Sequence, residues 1–191
     1  MIIDLLRHAS TGRPGHLDGV TDVALLAGAA EELARHYQGR GWSQVLSSPR
    51  VRALDTAHAL ATAPVHVDAR WRELDFGDWD GRPAREVPVD ALERFHADPL
   101  AHPLPGAEPW GAFARRIGDA LRDLLADASA TRPPLVVTHA GAMRMALQCT
   151  CGWSLAQTWA LRLGYGTRLR LRVEQAAEGS LWGEVLELEQ P

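Results

Sequence analysis

Ile2-Ile3-Asp4-Leu5-Leu6-Arg7-His8 and Leu135-Val136-Val137-Thr138-His139-Ala140-Gly141 are two short apolar runs, and a histidine follows each. Runs of this length, rich in Ile, Leu and Val, read as strands buried on both faces of a largely parallel sheet. In an open parallel sheet, ligands bind in the crevice beyond the carboxyl ends of the strands. Two such strands lying side by side would bring Arg7, His8 and His139 together over one crevice, although more than 120 residues of chain separate them.

The remaining pattern supplies the rest of that sheet. A helix is expected over 23–37, with Leu26, Ala30, Leu33 and Tyr37 on one stripe. Val45-Leu46-Ser47 reads as a short strand running into Ser48-Pro49, which is expected to be an N-cap followed by proline at the first helical position of a helix ending near Ala61. Val65-His66-Val67 is a further short strand. Residues 70–83 read as an irregular loop and 86–97 as a helix. Trp110, Phe113, Ile117, Leu121 and Leu124 mark a strong helix over about 109–127. A strand at 135–138 precedes helices at 141–149 and 154–160. Arg168–Glu174 and Trp182–Leu188 alternate apolar and charged residues, as an antiparallel hairpin at a sheet edge would. The order predicts an α/β fold, a three-layer α/β/α sandwich with a mostly parallel central sheet and helices on both faces. Patterning runs nearly end to end, so residues 1–191 are expected to form a single domain.

Bulk composition excludes several classes. A net charge of −4 carries no basic surplus of the kind that marks a nucleic-acid partner. No apolar stretch approaches a membrane span, and the start of the chain has no signal-peptide pattern. The only cysteines, Cys149 and Cys151, lie one residue apart with no third cysteine and no ligand spacing nearby. They read as ordinary helix-end thiols, a cytoplasmic location is expected, and neither a metal nor a cofactor is called for. All 20 basic residues are arginine, so an arginine here must be judged by its position. Neither G-x-G-x-x-G nor G-x-x-x-x-G-K-[ST] follows a strand. Oligomerisation as a homo-oligomer is left open.

The crevice residues suit chemistry on a phosphate group. A neutral imidazole attacks phosphorus without a base to deprotonate it, provided an acceptor such as a backbone carbonyl holds its other nitrogen. His8 is placed for this. Arg52, in the first turn of a helix, offers a planar guanidinium to an anion, although Asp55 would serve as a plainer partner. Gly141 would leave backbone N–H groups free at a helix start. Arg7, Arg52 and His139 could neutralise the equatorial oxygens of a transferring phosphoryl group. A proton donor is still needed, and the loop Arg72-Glu73-Leu74-Asp75-Phe76-Gly77-Asp78-Trp79-Asp80-Gly81 offers Glu73, Asp75, Asp78 and Asp80 with nothing in composition to choose among them. Ser10 and Thr11 are additional donors. His16 and His102 sit in loops near the crevice, and Trp79 and Trp110 could stack on a substrate.

Leu5-Leu6-Arg7-His8, Ser47-Ser48-Pro49 through Arg52 to Thr56-Ala57, Glu73 through Gly77 and Trp79 to Gly81, and Thr138-His139-Ala140-Gly141 resemble, in order, the four signature blocks of the histidine phosphatase superfamily. The resemblance implies a phosphoglycerate mutase-like fold, a small-molecule phosphate ester as substrate and no cofactor. By it His8 is the residue phosphorylated in turnover, Arg7, Arg52 and His139 line the phosphate pocket, and Glu73 is the proton donor. Gly19-Val20-Thr21-Asp22 and Pro105-Gly106-Ala107-Glu108 are similar to segments of the α-ribazole phosphatase branch. That branch implies hydrolysis of α-ribazole 5′-phosphate in cobalamin biosynthesis. A broad-specificity phosphatase, a mutase-like phosphotransferase and an inactive phosphate-binding domain are the alternatives. Ala9 departs from the family's glycine after the nucleophile, and its methyl is expected to narrow the pocket floor. The asparagine common downstream of the nucleophile is missing, so Ser10 and Thr11 are the substitutes.

Overall fold

A computed structural model describes residues 1–126, 132–176 and 179–191. Six strands form one sheet: β1 (Ile2–Arg7), β2 (Val45–Ser47), β3 (Val65–Val67), β4 (Leu135–Thr138), β5 (Arg168–Gln175) and β6 (Leu181–Glu189). Their order across the sheet is β3-β2-β4-β1-β5-β6. The first four are mutually parallel, whereas β5 runs antiparallel to β1 and β6 antiparallel to β5, so the expected hairpin closes one edge.

Alternation along the central strands sorts the core into two layers. Ile3 and Leu5 of β1 and Val136 of β4 pack with Phe113, Ile117, Leu121, Met143 and Leu147. These last five come from α4 (Trp110–Ala126) and α5 (Ala140–Cys151). Leu6, Leu135 and Val137 face the other way, against Leu33, Tyr37, Ala53 and Ala57 on or next to α1 (Ala29–His36) and α2 (Val51–Leu60). Helices thus cover both faces of a mixed sheet, as the sequence predicts. The shorter α3 (Val89–Ala97) and α6 (Leu155–Thr158) pack against each other over the crevice side.

The local expectations fail in three places. The helix expected over 23–37 begins only at Ala29. Gly28, at φ +79, takes the left-handed conformation of a residue outside a helix, and Leu26 is 56% exposed rather than on a buried stripe. The helix after β2 is capped by Arg50 in extended conformation, not by Ser48, so Pro49 does not occupy its first turn. Short 3-10 turns at Ala69–Trp71, Gly77–Trp79 and Ala84–Glu86 articulate the segment read as irregular and delay α3 to Val89, next to Pro88. The end expected for α4 at 127 lies outside the described residues. Cys149 and Cys151 are unpaired, and burial pushes the Cys149 thiol up to about 11. No helix among the described residues is long and apolar enough to cross a membrane.

Candidate active site

Register brings three strand ends into line. Arg7 pairs with Thr138, and Ser47 with Val137, so the chain leaves β1, β2 and β4 at Arg7-His8, Ser48 and His139 side by side. The His8 N–H donates to the Thr138 carbonyl at 2.9 Å, and the Ser48 N–H to that of Val137 at 3.0 Å. These bonds continue the ladder past the strand ends and fix the backbone on which the imidazoles stand. The two rings lie 5.1 Å apart, edge to face.

Each histidine is set by one hydrogen bond. His8 Nδ1 is 2.8 Å from the Ala9 carbonyl oxygen, which can only accept, so the proton sits on Nδ1. Nε2 keeps its lone pair and has no hydrogen-bond partner among the described residues. The Ala9 N–H is in turn fixed by Thr56 Oγ1, which donates to the Arg52 carbonyl. His139 Nε2 pairs with Ser48 Oγ at 2.8 Å, while its Nδ1 is buried without a partner. Burial disfavours the cation of both rings. Arg7 and Arg52 push His8 further down, and His8, Arg52 and Arg7 do the same to His139, so both lie well below the ordinary imidazole value. The pair is therefore neutral near pH 7, the state a nucleophilic imidazole requires.

Two guanidiniums flank the rings. Arg7 donates from Nη1 to the Leu163 carbonyl at 2.7 Å and leaves Nε buried and unpaired. Arg52, 1% exposed, gives Nη1 to Thr21 O and Nη2 to Asp18 O and Gly19 O, and its Nε is likewise unpaired. Asp55, the plainer alternative partner, makes none of these bonds. The loop 18–22 holds it instead, with Asp22 at 3.8 Å.

Glu73 is the acid that faces the crevice. Its Oε2 accepts from the Gly141 N–H and its Oε1 from the Leu74 N–H, both at 2.9 Å. Gly141 was expected to offer a free N–H to an anion. That donor is committed to Glu73, and a Cβ on Gly141 would come within 2.1 Å of Glu73 Oε1, so glycine is the residue that lets the carboxylate sit against the start of α5. The three competing aspartates line no part of the cavity. Asp75 closes a turn onto the Gly77 N–H, and Asp80 gathers the N–H groups of Gly19, Val20, Thr21 and Phe76 with the Thr21 hydroxyl. One residue further in, Arg116 makes a two-pronged contact with Glu108 at 2.7 Å and donates to the carbonyls of Arg70, Arg72 and Glu73, which fixes the loop that carries the acid.

These groups open onto a cavity of about 350 Å³. Arg7, His8, Arg52 and Glu73 line it, and Leu92, Phe95, Trp110, Phe113, Leu155 and Trp159 form its apolar lining. Thr11, His16 and Trp110 line it. Ser10 does not; its hydroxyl accepts from the Gly12 N–H. His102 is exposed and Trp79 is core. His139 stands behind the wall, against Ser48. Ala9 packs into the core with Leu6, Leu33 and Tyr37, so its methyl does not narrow the floor. The reading missed Arg144, buried on α5 with its guanidinium 3.8 Å from the Trp159 ring, and Tyr165 beside Arg7. Gly164 and Gly166, which frame Tyr165, were the available signal for a tight turn there. Among the described residues no three His, Cys, Asp or Glu are grouped to hold a metal ion.

The family model of the histidine phosphatase superfamily (branch 1) matches residues 3–181. This chain belongs to that superfamily. It is 28% identical over 140 residues to a Hydrogenobacter thermophilus protein named provisionally as phosphoserine phosphatase 2, covering 70% of this chain and 68% of that one. It is 25% identical over 182 residues to the adenosylcobalamin/alpha-ribazole phosphatase of Escherichia coli, with 90% and 89% covered. The mycobacterial glucosyl-3-phosphoglycerate phosphatase has the same fold, with a TM-score of 0.82 at 24% identity over 96% of each chain.

Proposed function

We propose that the protein is a metal-independent phosphomonoesterase working through a phosphohistidine on His8. The observation that carries this reading is the His8 ring itself, with Nδ1 tied to the Ala9 carbonyl, Nε2 uncommitted and a guanidinium on either side. In the first step the Nε2 lone pair forms an N–P bond as the ester P–O bond breaks, and Glu73 gives its proton to the departing oxygen. In the second, water attacks phosphorus, Glu73 takes its proton, and the N–P bond breaks to release inorganic phosphate. Arg7 and Arg52 offset the charge on the equatorial oxygens throughout, with the His139–Ser48 pair behind them.

The substrate we propose is α-ribazole 5′-phosphate. The relationship to the Escherichia coli enzyme and the aromatic lining of the cavity by Phe95, Trp110, Phe113 and Trp159 both support a leaving group with a planar apolar ring. Release of phosphate from p-nitrophenyl phosphate in EDTA should fall on the order of 10⁴-fold or more in His8→Ala, the scale on which loss of a covalent nucleophile is felt. Undiminished turnover by that variant removes the nucleophile from the scheme. In a panel with phosphoserine, 3-phosphoglycerate and sugar phosphates, the ribazole ester should have the highest kcat/KM; an equal ranking leaves a broad-specificity phosphatase, and isomerised 3-phosphoglycerate without phosphate release points to a mutase.

A further inference from the structure

The chemistry above uses no residue from the turn between α6 and β5, Leu163-Gly164-Tyr165-Gly166, yet that turn is fastened to the end of β1. The Gly166 N–H lies 3.2 Å from both the Arg7 and His8 carbonyls, and the Leu163 carbonyl accepts from Arg7 Nη1. The Tyr37 hydroxyl, from beyond α1, donates to the Gly166 carbonyl at 2.9 Å. Gly166 has φ +72, and a Cβ there would lie 2.7 Å from Leu33 Cδ1, so the turn depends on this glycine for its shape.

Tyr165 therefore sits in a fixed place, and it meets three groups of the site. The Arg7 guanidinium stacks 4.2 Å from its ring centroid. Its ring is 5.5 Å from that of His8. Its hydroxyl is 3.0 Å from Thr11 Oγ1, and both residues line the cavity. The two hydroxyls carry two hydrogens and share a single bond, and neither oxygen has another partner among the described residues. Whichever way that bond runs, one hydrogen remains without an acceptor beside a cationic crevice.

We propose that Tyr165 is a further active-site residue. Its ring holds the Arg7 guanidinium in place, and its hydroxyl donates to a non-bridging oxygen of the phosphoryl group on its way to and from His8. Thr11 donates to the phenol oxygen, which makes the phenol a stronger donor. A dianion takes the better donor of the pair, and a phenol is a better donor than an aliphatic alcohol. This assignment rests on the phosphatase reading above.

Tyr165→Phe keeps the ring and removes only the hydroxyl. Because the contact is to the phosphoryl group, its loss should be felt equally with every leaving group. Affinity for inorganic phosphate, measured by calorimetry, should weaken about tenfold or more in Tyr165→Phe, and kcat/KM for p-nitrophenyl phosphate and for an alkyl phosphate should fall by a common factor of that size. Tyr165→Leu should lose more, because Arg7 then loses its support. Unchanged phosphate affinity in Tyr165→Phe, or no phosphate binding by the wild type, overturns the proposal, and so does a loss confined to one ester. Failure of the phosphatase reading looks different: turnover survives in His8→Ala while the phosphate titration still reports on Tyr165.

Discussion

Strand β1 carries buried charge at both ends, and the two ends are built on opposite principles. At its start Asp4, 0% exposed, accepts from Arg168, from Arg170 twice and from Trp42 Nε1, all within 3.0 Å. Arg168 is shared in turn with Glu187 and Glu189. Every charge there has an opposite neighbour. At its other end Arg7, Arg52, His8 and His139 converge, Glu73 faces them and Asp22 lies 3.8 Å from Arg52, yet Arg7 Nε, Arg52 Nε and His139 Nδ1 are buried without partners. Burying polar groups without partners costs free energy, so a cluster left in that state is not serving stability. The difference teaches which cluster is structural and which awaits an anion, although both contain a fully buried arginine.

The sharpest way to break this comparison acts on the acid of the second cluster. Glu73→Gln should lower kcat by about 10² to 10⁴-fold, the usual worth of a positioned general acid. The loss should be larger for an alkyl phosphate than for p-nitrophenyl phosphate, whose leaving group needs little help from a proton; equal losses would assign Glu73 a merely electrostatic role. At the other end, Asp4→Ala should cost about 3 kcal/mol in urea denaturation, because it removes the buried acceptor that Arg168, Arg170 and Trp42 share, while kcat/KM per folded molecule stays within a few-fold of wild type. Activity lost in step with stability would join the two clusters into one system.

The smallest expected effect is in pH. Folding lowers the His8 and His139 values, so as pH falls below about 6.5 the unfolded chain takes up protons first, and stability declines toward the folded-state values. For Asp4, burial pushes upward, but hydrogen bonds from Arg170 and Trp42 and the charges of Arg168 and Arg170 outweigh it. Its contribution is intact above the ordinary aspartate value of 3.8 and disappears as pH falls through its lower folded value. His139→Gln should flatten the upper decline of the urea midpoint with pH, and Asp4→Asn the lower one alone. A single shared decline would refute the separation.

The catalytic end of β1 was legible because strand ends converge by a general rule. Apolar runs that stop at Arg7-His8 and at His139 carry their own positional information. Ser48 was misread for the converse reason. A serine before a proline looks like a helix cap, and only the neighbouring strand shows that its hydroxyl belongs to His139. Gly141 was given the right place and the wrong partner, since the Glu73 carboxylate that takes its N–H arrives from a segment 68 residues away. The choice of Glu73 over Asp75, Asp78 and Asp80 needed the resemblance, as four carboxylates within eight residues are indistinguishable by composition. Arg144 had no usable signal, and Tyr165 only the glycines on either side of it, which mark a turn and not a role. In a chain whose basic residues are all arginine and whose aromatics are mostly core, each is known only by what it touches. The Asp4 cluster was invisible because an aspartate inside an apolar strand discloses nothing about the arginines that a hairpin 164 residues later will deliver.

The carboxylate of Asp80 gathers backbone from two separate excursions of the chain, Gly19 to Thr21 and Phe76. One excursion carries the carbonyls that hold Arg52, and the other carries Glu73. Anyone exchanging loops to redirect this scaffold toward a different ester would have to transplant both together, since the first loop alone arrives without its rivet and the second with nothing for the rivet to hold.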